Sequence, residues 1–182
     1  MLINYGDLWL AILVGAVLCW VASAVIHMVI KYHDKDYKGL ANEDEVRAAI
    51  RNGSPESYFY NIPYCADMKE FGSEEMQAKM NEGPVGFLTV LPNGMPNMGK
   101  LMGQQFAHFL ITCALVAYVA ALGLPPGADY MTVFRFVMTT AFLAFGLANI
   151  PYSIWYGQPW GTTLRFMLDA LIYGAVVAGV FG

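Results

Sequence analysis

Residues 8–30 read LWLAILVGAVLCWVASAVIHMVI and contain no Asp, Glu, Lys or Arg. As an α-helix that rises about 1.5 Å per residue, a run of this length crosses about 30 Å of hydrocarbon. Three further long apolar runs follow at 101–124, 131–150 and 161–182. Because backbone groups inside a bilayer must bond within their own segment, each run predicts a transmembrane helix.

These runs predict an all-α integral membrane protein, a bundle of four transmembrane helices in one membrane domain over residues 1–182. An insert at 31–100 separates helices one and two, whereas short connectors make helices two to four antiparallel neighbours. Helix one has no positively charged start and is longer than the apolar core of a signal peptide. We therefore expect it to be retained.

The composition agrees with a membrane protein. Of 182 residues, 57% are hydrophobic, and the mean hydropathy is +0.46. Ten basic and 14 acidic residues give a net charge of −4 without a basic tract, which argues against a nucleic-acid partner. Three cysteines without a Cys-x-x-Cys spacing predict free thiols rather than a disulfide framework.

The distribution of lysine and arginine predicts the orientation. Eight of the ten basic residues lie within 31–100. Lys31, Lys35 and Lys38 follow helix one directly, and Lys100 precedes helix two. Under the positive-inside rule, the insert is cytoplasmic and both termini lie outside.

The insert is too long for a bare loop and predicts short helices. One is expected at 42–53 with Asn42 as its N-cap, and a second at 73–83 with Ser73 as its N-cap. Residues 87–90 predict a strand. Because the insert has few apolar residues, we expect it to lie against the bundle and the lipid headgroups.

Two motifs near helix two are poor matches to known sites. Residues 94–100 fit the spacing GxxxxGK, but Leu101 stands where a P-loop has Ser or Thr, and Pro96 removes an amide from the phosphate cradle. The methionines between 68 and 102 carry thioether groups, which favour Cu(I), yet their spacing forms no repeat. A tight turn explains the first pattern, and methionines that act as flexible packing residues explain the second.

Ionisable residues inside the apolar runs need a partner or a role, because each costs roughly 2.5–3.5 kcal/mol at mid-bilayer. Antiparallel packing is expected to bring His27, His108 and Asp169 together facing the bundle interior, with His33 just outside. Arg165 is one turn before Asp169, where it either pairs with this carboxylate or reaches the headgroups. The predicted intramembrane polar cluster contains His27, Gln104, His108, Arg165 and Asp169.

Three roles are open for these residues. Each histidine makes one interhelical hydrogen bond and has no further role, or the histidines and the carboxylate bind a transition metal or haem, or they relay protons. The sequence identifies no cofactor outright. The candidates for metal ligation are His27, His33 and His108.

Small residues recur every four positions on helix one and on helix four. They include Gly15 and Ser23 on the first, and Ala170, Gly174 and Ala178 on the second. Since lipid provides no hydrophobic drive between helices, such stripes mark surfaces of close backbone approach. Either the bundle uses both stripes internally, or one of them, for which we favour the stripe of helix four, contacts a second copy or another subunit.

Several stretches along the chain form a recognisable pattern. They are His33–Leu40 with Glu43–Glu45, Lys79–Phe87 with Pro92–Gly94 and Met98–Lys100, and Tyr156–Trp160 with Thr163, Leu164 and Asp169. Through these stretches the chain resembles, over nearly its full length, a family of small bacterial inner-membrane proteins of similar length and uncharacterised function. The resemblance implies an all-helical protein of the bacterial inner (cytoplasmic) membrane, and it implies no activity.

Sequence reasoning thus favours a non-enzymatic accessory or structural subunit, packed in a homo- or hetero-oligomeric membrane complex. Its partners would be the lipid bilayer and a second copy or a larger complex, with no nucleic acid. The alternatives are a proton or small-cation transporter and a metal- or haem-binding membrane protein, in which His27, His108 and Asp169 carry the function.

Overall fold

A computed structural model describes residues 4–182, which form two compact units. One unit comprises the chain up to Tyr37 together with Pro96–Gly182, and the other is Lys38–Met95. The first unit contains four helices long and apolar enough to cross a membrane. They are Tyr5–Ile30, Met98–Gly123, Tyr130–Trp155 and Trp160–Phe181. The prediction of four such helices is confirmed, with bounds close to those predicted.

The long helices coincide with the apolar runs of the sequence, and the residues between the runs mark their ends. In chain order the α-helices of the described residues are α1 (Trp9–Val25), α2 (Glu43–Gly53), α3 (Glu74–Glu82), α4 (Met98–Gly123), α5 (Tyr130–Gly146), α6 (Ile150–Trp155) and α7 (Trp160–Phe181). A 3-10 turn, Tyr5–Leu8, leads into α1, and a π-helical turn, Ile26–Ile30, ends it. The third long helix is interrupted by a 3-10 turn between α5 and α6, where Pro151 has no N–H for the helical ladder.

The four long helices pack in the cyclic order α1, α4, α5, α7, so that each contacts two neighbours. Their shared core combines small residues with a few large ones. Ala16, Cys19, Phe109, Val137 and Val177 are fully buried there. Because small side chains let the backbones approach, the bundle closes around a narrow core.

The stripe of small residues on α7 faces this core. Ala170 and Ala178 are buried, and a Cβ added to Gly174 would lie 3.2 Å from the Met138 carbonyl oxygen of α5. Of the two alternatives for this stripe, the structure agrees with contact inside the bundle, because α5 of the same chain packs against Gly174. On α1, Gly15 is buried in the same way, and an added Cβ would lie 3.5 Å from Cys113 Sγ.

Side-chain oxygens cap the N-termini of α4 and α5 by accepting hydrogen bonds from backbone amides of the first turn. Asn97 accepts a hydrogen bond from the Lys100 amide at 3.0 Å, and Asp129 accepts one from the Thr132 amide at 3.2 Å. The Asn97 cap uses an amide that a phosphate would need in a P-loop. This contact agrees with a turn rather than a nucleotide site at residues 94–100.

The second compact unit, Lys38–Met95, lies within the stretch 31–100 that the sequence predicts as an insert. Ser73 caps α3 by accepting a hydrogen bond from the Met76 amide at 3.2 Å, as predicted, whereas the side chain of Asn42 makes no such bond at α2. Two strands, β1 (Phe59–Ile62) and β2 (Gly86–Thr89), pair antiparallel, with Phe59 opposite Thr89.

Candidate metal centre

The end of the first long helix has an unusual geometry around His27. This residue lies in the π-helical turn, and its Nδ1 is 2.9 Å from the Ser23 carbonyl oxygen. Because a carbonyl oxygen only accepts hydrogen bonds, Nδ1 carries the hydrogen and Nε2 keeps a free lone pair. Single π turns inside helices occur frequently at functional sites.

Immediately after this turn the chain reverses at Lys31. Its φ of 56° lies in the left-handed region, which non-glycine residues seldom adopt. The reversal starts a 3-10 turn, Tyr32–Asp36, that packs against α7. As a result His33, expected just outside the cluster, is buried within it at 6% exposure.

Asp169 of α7 receives two side chains from this turn. The Tyr32 hydroxyl donates to Asp169 Oδ1, and His33 Nε2 lies 2.9 Å from Asp169 Oδ2. Burial makes the largest contribution to a raised pKa of the Tyr32 phenol, and the hydrogen bond to Asp169 makes the next largest. The phenol therefore stays protonated and acts as a donor. The carboxylate of Asp169 is deep in the bundle, at 3% exposure.

Asp36 holds the other side of the His33 ring. Its Oδ2 is 2.6 Å from His33 Nδ1, while its Oδ1 accepts hydrogen bonds from Thr162 at 2.8 Å and from Arg165 Nε at 2.7 Å. Burial alone would raise the pKa of Asp36, but the hydrogen bonds from Arg165, His33 and Thr162 lower it to about 2. Asp36 therefore accepts the Nδ1 hydrogen of His33, and the contact of Nε2 with Asp169 Oδ2 is a hydrogen bond only when one of these two atoms carries a further hydrogen.

Three donor groups converge from separate segments of the chain. One ring nitrogen of His27, one of His33 and a carboxylate oxygen of Asp169 lie within 4.8 Å of one another. The two imidazole rings stack with centroids 4.7 Å apart and planes 2° from parallel. Nitrogen and carboxylate donors of this kind suit divalent transition metals.

A partly open cavity of about 470 Å³ lies beside these groups, within the helical bundle. Its wall includes the rings of Phe145 and Phe166, and its polar lining is Ser23, His27, Gln105, His108, Asn149, Asp169 and Tyr173. Asp169 is the one carboxylate of that lining. The cavity therefore joins α1, α4 and α7 around a single buried acid.

The predicted cluster residues are distributed unevenly around this site. His27, His108 and Asp169 line the same cavity, although both histidines are exposed while Asp169 is buried. Gln104 is exposed and lies outside the lining, whereas its neighbour Gln105 belongs to it. The remaining member, Arg165, bonds to Asp36 and not to Asp169.

Sequence reasoning did not identify Tyr32, Asp36, Thr162, Gln105 or Asn149 as site residues. One signal was available for Asp36, because it follows His33 by three residues, a spacing that allows a side-chain pair within one turn. The reversal at Lys31, which carries that pair against α7, has no signature in the residue type.

Comparison with known proteins yields no relatives. No protein-family model matches the chain, and neither a curated protein nor a solved structure matches it significantly. The function is therefore inferred from the geometry of the site alone.

Proposed function

We propose that the protein is a multi-pass membrane protein that binds one divalent transition-metal ion through His27, His33 and Asp169. The observation that carries the proposal is the convergence of these three donors within 4.8 Å, with the second ring nitrogen of each histidine already hydrogen-bonded. Metal-ligating histidines nearly always donate their other N–H to a carboxylate or a backbone carbonyl. His33 and His27 use one of each.

Membrane insertion is supported by the outward faces of the helices. The most apolar windows of the four helices have mean hydropathies of 2.4, 2.0, 1.6 and 1.7. Large apolar side chains such as Leu10, Leu18, Ile111 and Leu115 are 43–61% exposed on α1 and α4. A surface of this kind in water would cause association, whereas in a bilayer it matches the lipid.

The orientation in this proposal has residues 38–95 in the cytoplasm and both termini outside, in a bacterial inner membrane. It is supported by the excess of lysine and arginine in and beside the insert and by the family resemblance. The metal site then lies near the cytoplasmic surface, because Lys31 precedes the turn that contains His33 and Lys35 lies within that turn.

The His33–Asp169 contact has the geometry of a pair of metal ligands. Two donors each about 2.1 Å from a metal lie about 3 Å apart at an angle of about 90° and about 3.4 Å apart at the tetrahedral angle, a range that begins at the length of an ordinary hydrogen bond. The separation of His33 Nε2 and Asp169 Oδ2 is 2.9 Å. A small shift of the exposed His27 ring would complete a set of two histidines and one carboxylate.

Haem fits this arrangement poorly. In a bis-histidine haem, the two imidazoles approach the iron from opposite faces of the macrocycle. The rings of His27 and His33 are instead stacked 4.7 Å apart, which leaves no room for a porphyrin between them. The proposed occupant is thus a single metal ion.

Proton transfer is the second candidate, because Tyr32, Asp169, His33 and Asp36 form a continuous hydrogen-bonded chain. Passage across a membrane would also need a polar path beyond Asp169. In the described bundle that region holds buried apolar residues such as Val116, Ala117, Val177 and Ala178. The hydrogen-bonded side chains are therefore better suited to holding a charge than to conducting protons across the membrane.

The accessory-subunit hypothesis is weakened, since the stripe of small residues that motivated it is covered by other helices of the same protein chain.

Metal analysis of the full-length protein, purified in mild detergent and reloaded after chelation, tests the proposal. We expect one zinc, iron or cobalt ion per chain, and its loss in Asp169→Asn, whose amide can still hydrogen-bond with His33. Asp34→Asn is the matched control, because Asp34 is exposed and lies outside the network. Equal metal content in the two variants, or no metal in the parent, would refute the proposal.

A further inference from the structure

We infer that the metal keeps an open coordination position toward the cavity and binds a small anion there, with His108 and Gln105 as the hydrogen-bonding partners of that anion. The inference rests on the proposed metal site and adds a ligand class to it. Three protein ligands are the usual complement of a reactive metal centre, whereas a structural zinc site has four.

Packing covers the ligands on one side and leaves the other side accessible. The His33 ring contacts the Tyr32 and Phe166 rings, with centroids 4.7 and 4.8 Å away, and its far nitrogen is held by Asp36. The cavity is bordered by His27 and Asp169 on the ligand side and by Gln105 and His108 of α4. An incoming ligand therefore reaches the metal from the cavity.

The charge balance favours an anion. The lining contains one carboxylate, Asp169, so a divalent ion bound to it leaves one positive charge beside the cavity. The other nearby carboxylate, Asp36, is already paired with Arg165. No further acid lines the cavity in residues 4–182, so neutralisation requires an anion from outside, such as hydroxide or a small carboxylate.

Two polar side chains on α4 are available for this anion. Among the described residues, neither the His108 ring nor the Gln105 amide has a hydrogen-bond partner. His108 is held edge-on to Phe145, with ring centroids 5.9 Å apart, which restricts its orientation. The cavity volume of about 470 Å³ suits a small ligand.

The test uses the full-length protein in detergent, loaded with Co²⁺ as a metal that absorbs visible light, and azide as the probe. Cobalt content is measured first, because absence of bound cobalt would refute the metal site itself. In the cobalt-loaded parent, azide is expected to change the visible spectrum with saturation. Since hydrogen bonds to a charged group are strong, His108→Ala and Gln105→Ala should each raise the apparent Kd for azide about tenfold.

Gln104→Ala is the matched control, because Gln104 is adjacent on α4, has the same side chain and lies outside the lining. It should bind cobalt and azide like the parent. A cobalt spectrum that azide leaves unchanged would overturn the open position. Equal azide affinity in the His108, Gln105 and Gln104 variants would overturn the assignment of the cavity side.

Discussion

His27 and His33 lie on opposite sides of a chain reversal, yet their imidazole rings stack with centroids 4.7 Å apart. A straight helix would separate two residues six positions apart by about 9 Å along its axis. The π-helical turn and the left-handed residue Lys31 remove that separation. The site thus depends on a backbone conformation as much as on its ligands.

Substitution at Lys31 tests this dependence. Lys31→Gly should leave metal content unchanged and alter stability little, because glycine relieves the left-handed conformation but gains freedom in the unfolded chain. Lys31→Val should cost about 1–2 kcal/mol and lower metal affinity, because a β-branched residue resists positive φ. Thermal unfolding in detergent and metal competition with a chelator measure the two effects. If the valine variant matches the glycine variant in both, the reversal does not organise the site.

Asp36 is expected to act as a positioning residue for the metal. Asp36→Asn should weaken metal binding by about 10- to 100-fold, because the neutral amide holds the Nδ1 hydrogen of His33 less firmly. Chelator competition gives the affinity, and Asp34→Asn is the control that leaves the hydrogen bond to His33 intact. Unchanged affinity in Asp36→Asn would mean that Asp36 serves only to bind Arg165.

The glycine stripe of α7 predicts a folding defect rather than a lost partner. Gly174→Leu should destabilise the chain by about 1–3 kcal/mol or more, because the new side chain meets the α5 backbone at Met138. Gly179→Leu is the control on the same helix, since nothing lies within 4 Å of a Cβ added there. Thermal unfolding compares them. A Gly174 variant with parental stability and a smaller assembled mass would restore the intermolecular interface.

The proposed orientation predicts the behaviour of reporter fusions in a bacterial host. A phosphatase fused at Gly182 should be active, since it folds only outside the cytoplasm, and a phosphatase inserted at Gly72 of the exposed insert should be inactive. A fluorescent protein that matures in the cytoplasm should give the reciprocal pattern. The reverse pattern would move the metal site to the outer surface.

The fold was predictable where a residue pattern acts locally. The long apolar runs specify helices because only a helix satisfies its backbone groups within a single segment, and Ser73 specifies the start of α3 through its hydroxyl. Proximity of Asp169 to His27 and His108 was also predictable, because antiparallel helices share a depth. These inferences need only spacing and polarity.

The details of the site were not predictable in the same way. Whether Gln104 or Gln105 lines the cavity depends on the rotation of α4 about its axis, and one residue corresponds to about 100°. Tertiary packing against α1 and α5 fixes that rotation. The placement of His33 depended likewise on the φ of Lys31, which residue type alone does not dictate.

The separation of 136 positions between His33 and Asp169 in the sequence has a consequence for biogenesis. At roughly 5–20 residues per second, the ribosome delivers the carboxylate roughly 7–27 seconds after the histidine. During that interval the two histidines at the end of the first long helix have no acidic partner from α7. In the proposed function, the full set of ligands exists only after α7 joins the bundle, so a bound ion would distinguish a completed chain from a nascent or truncated one.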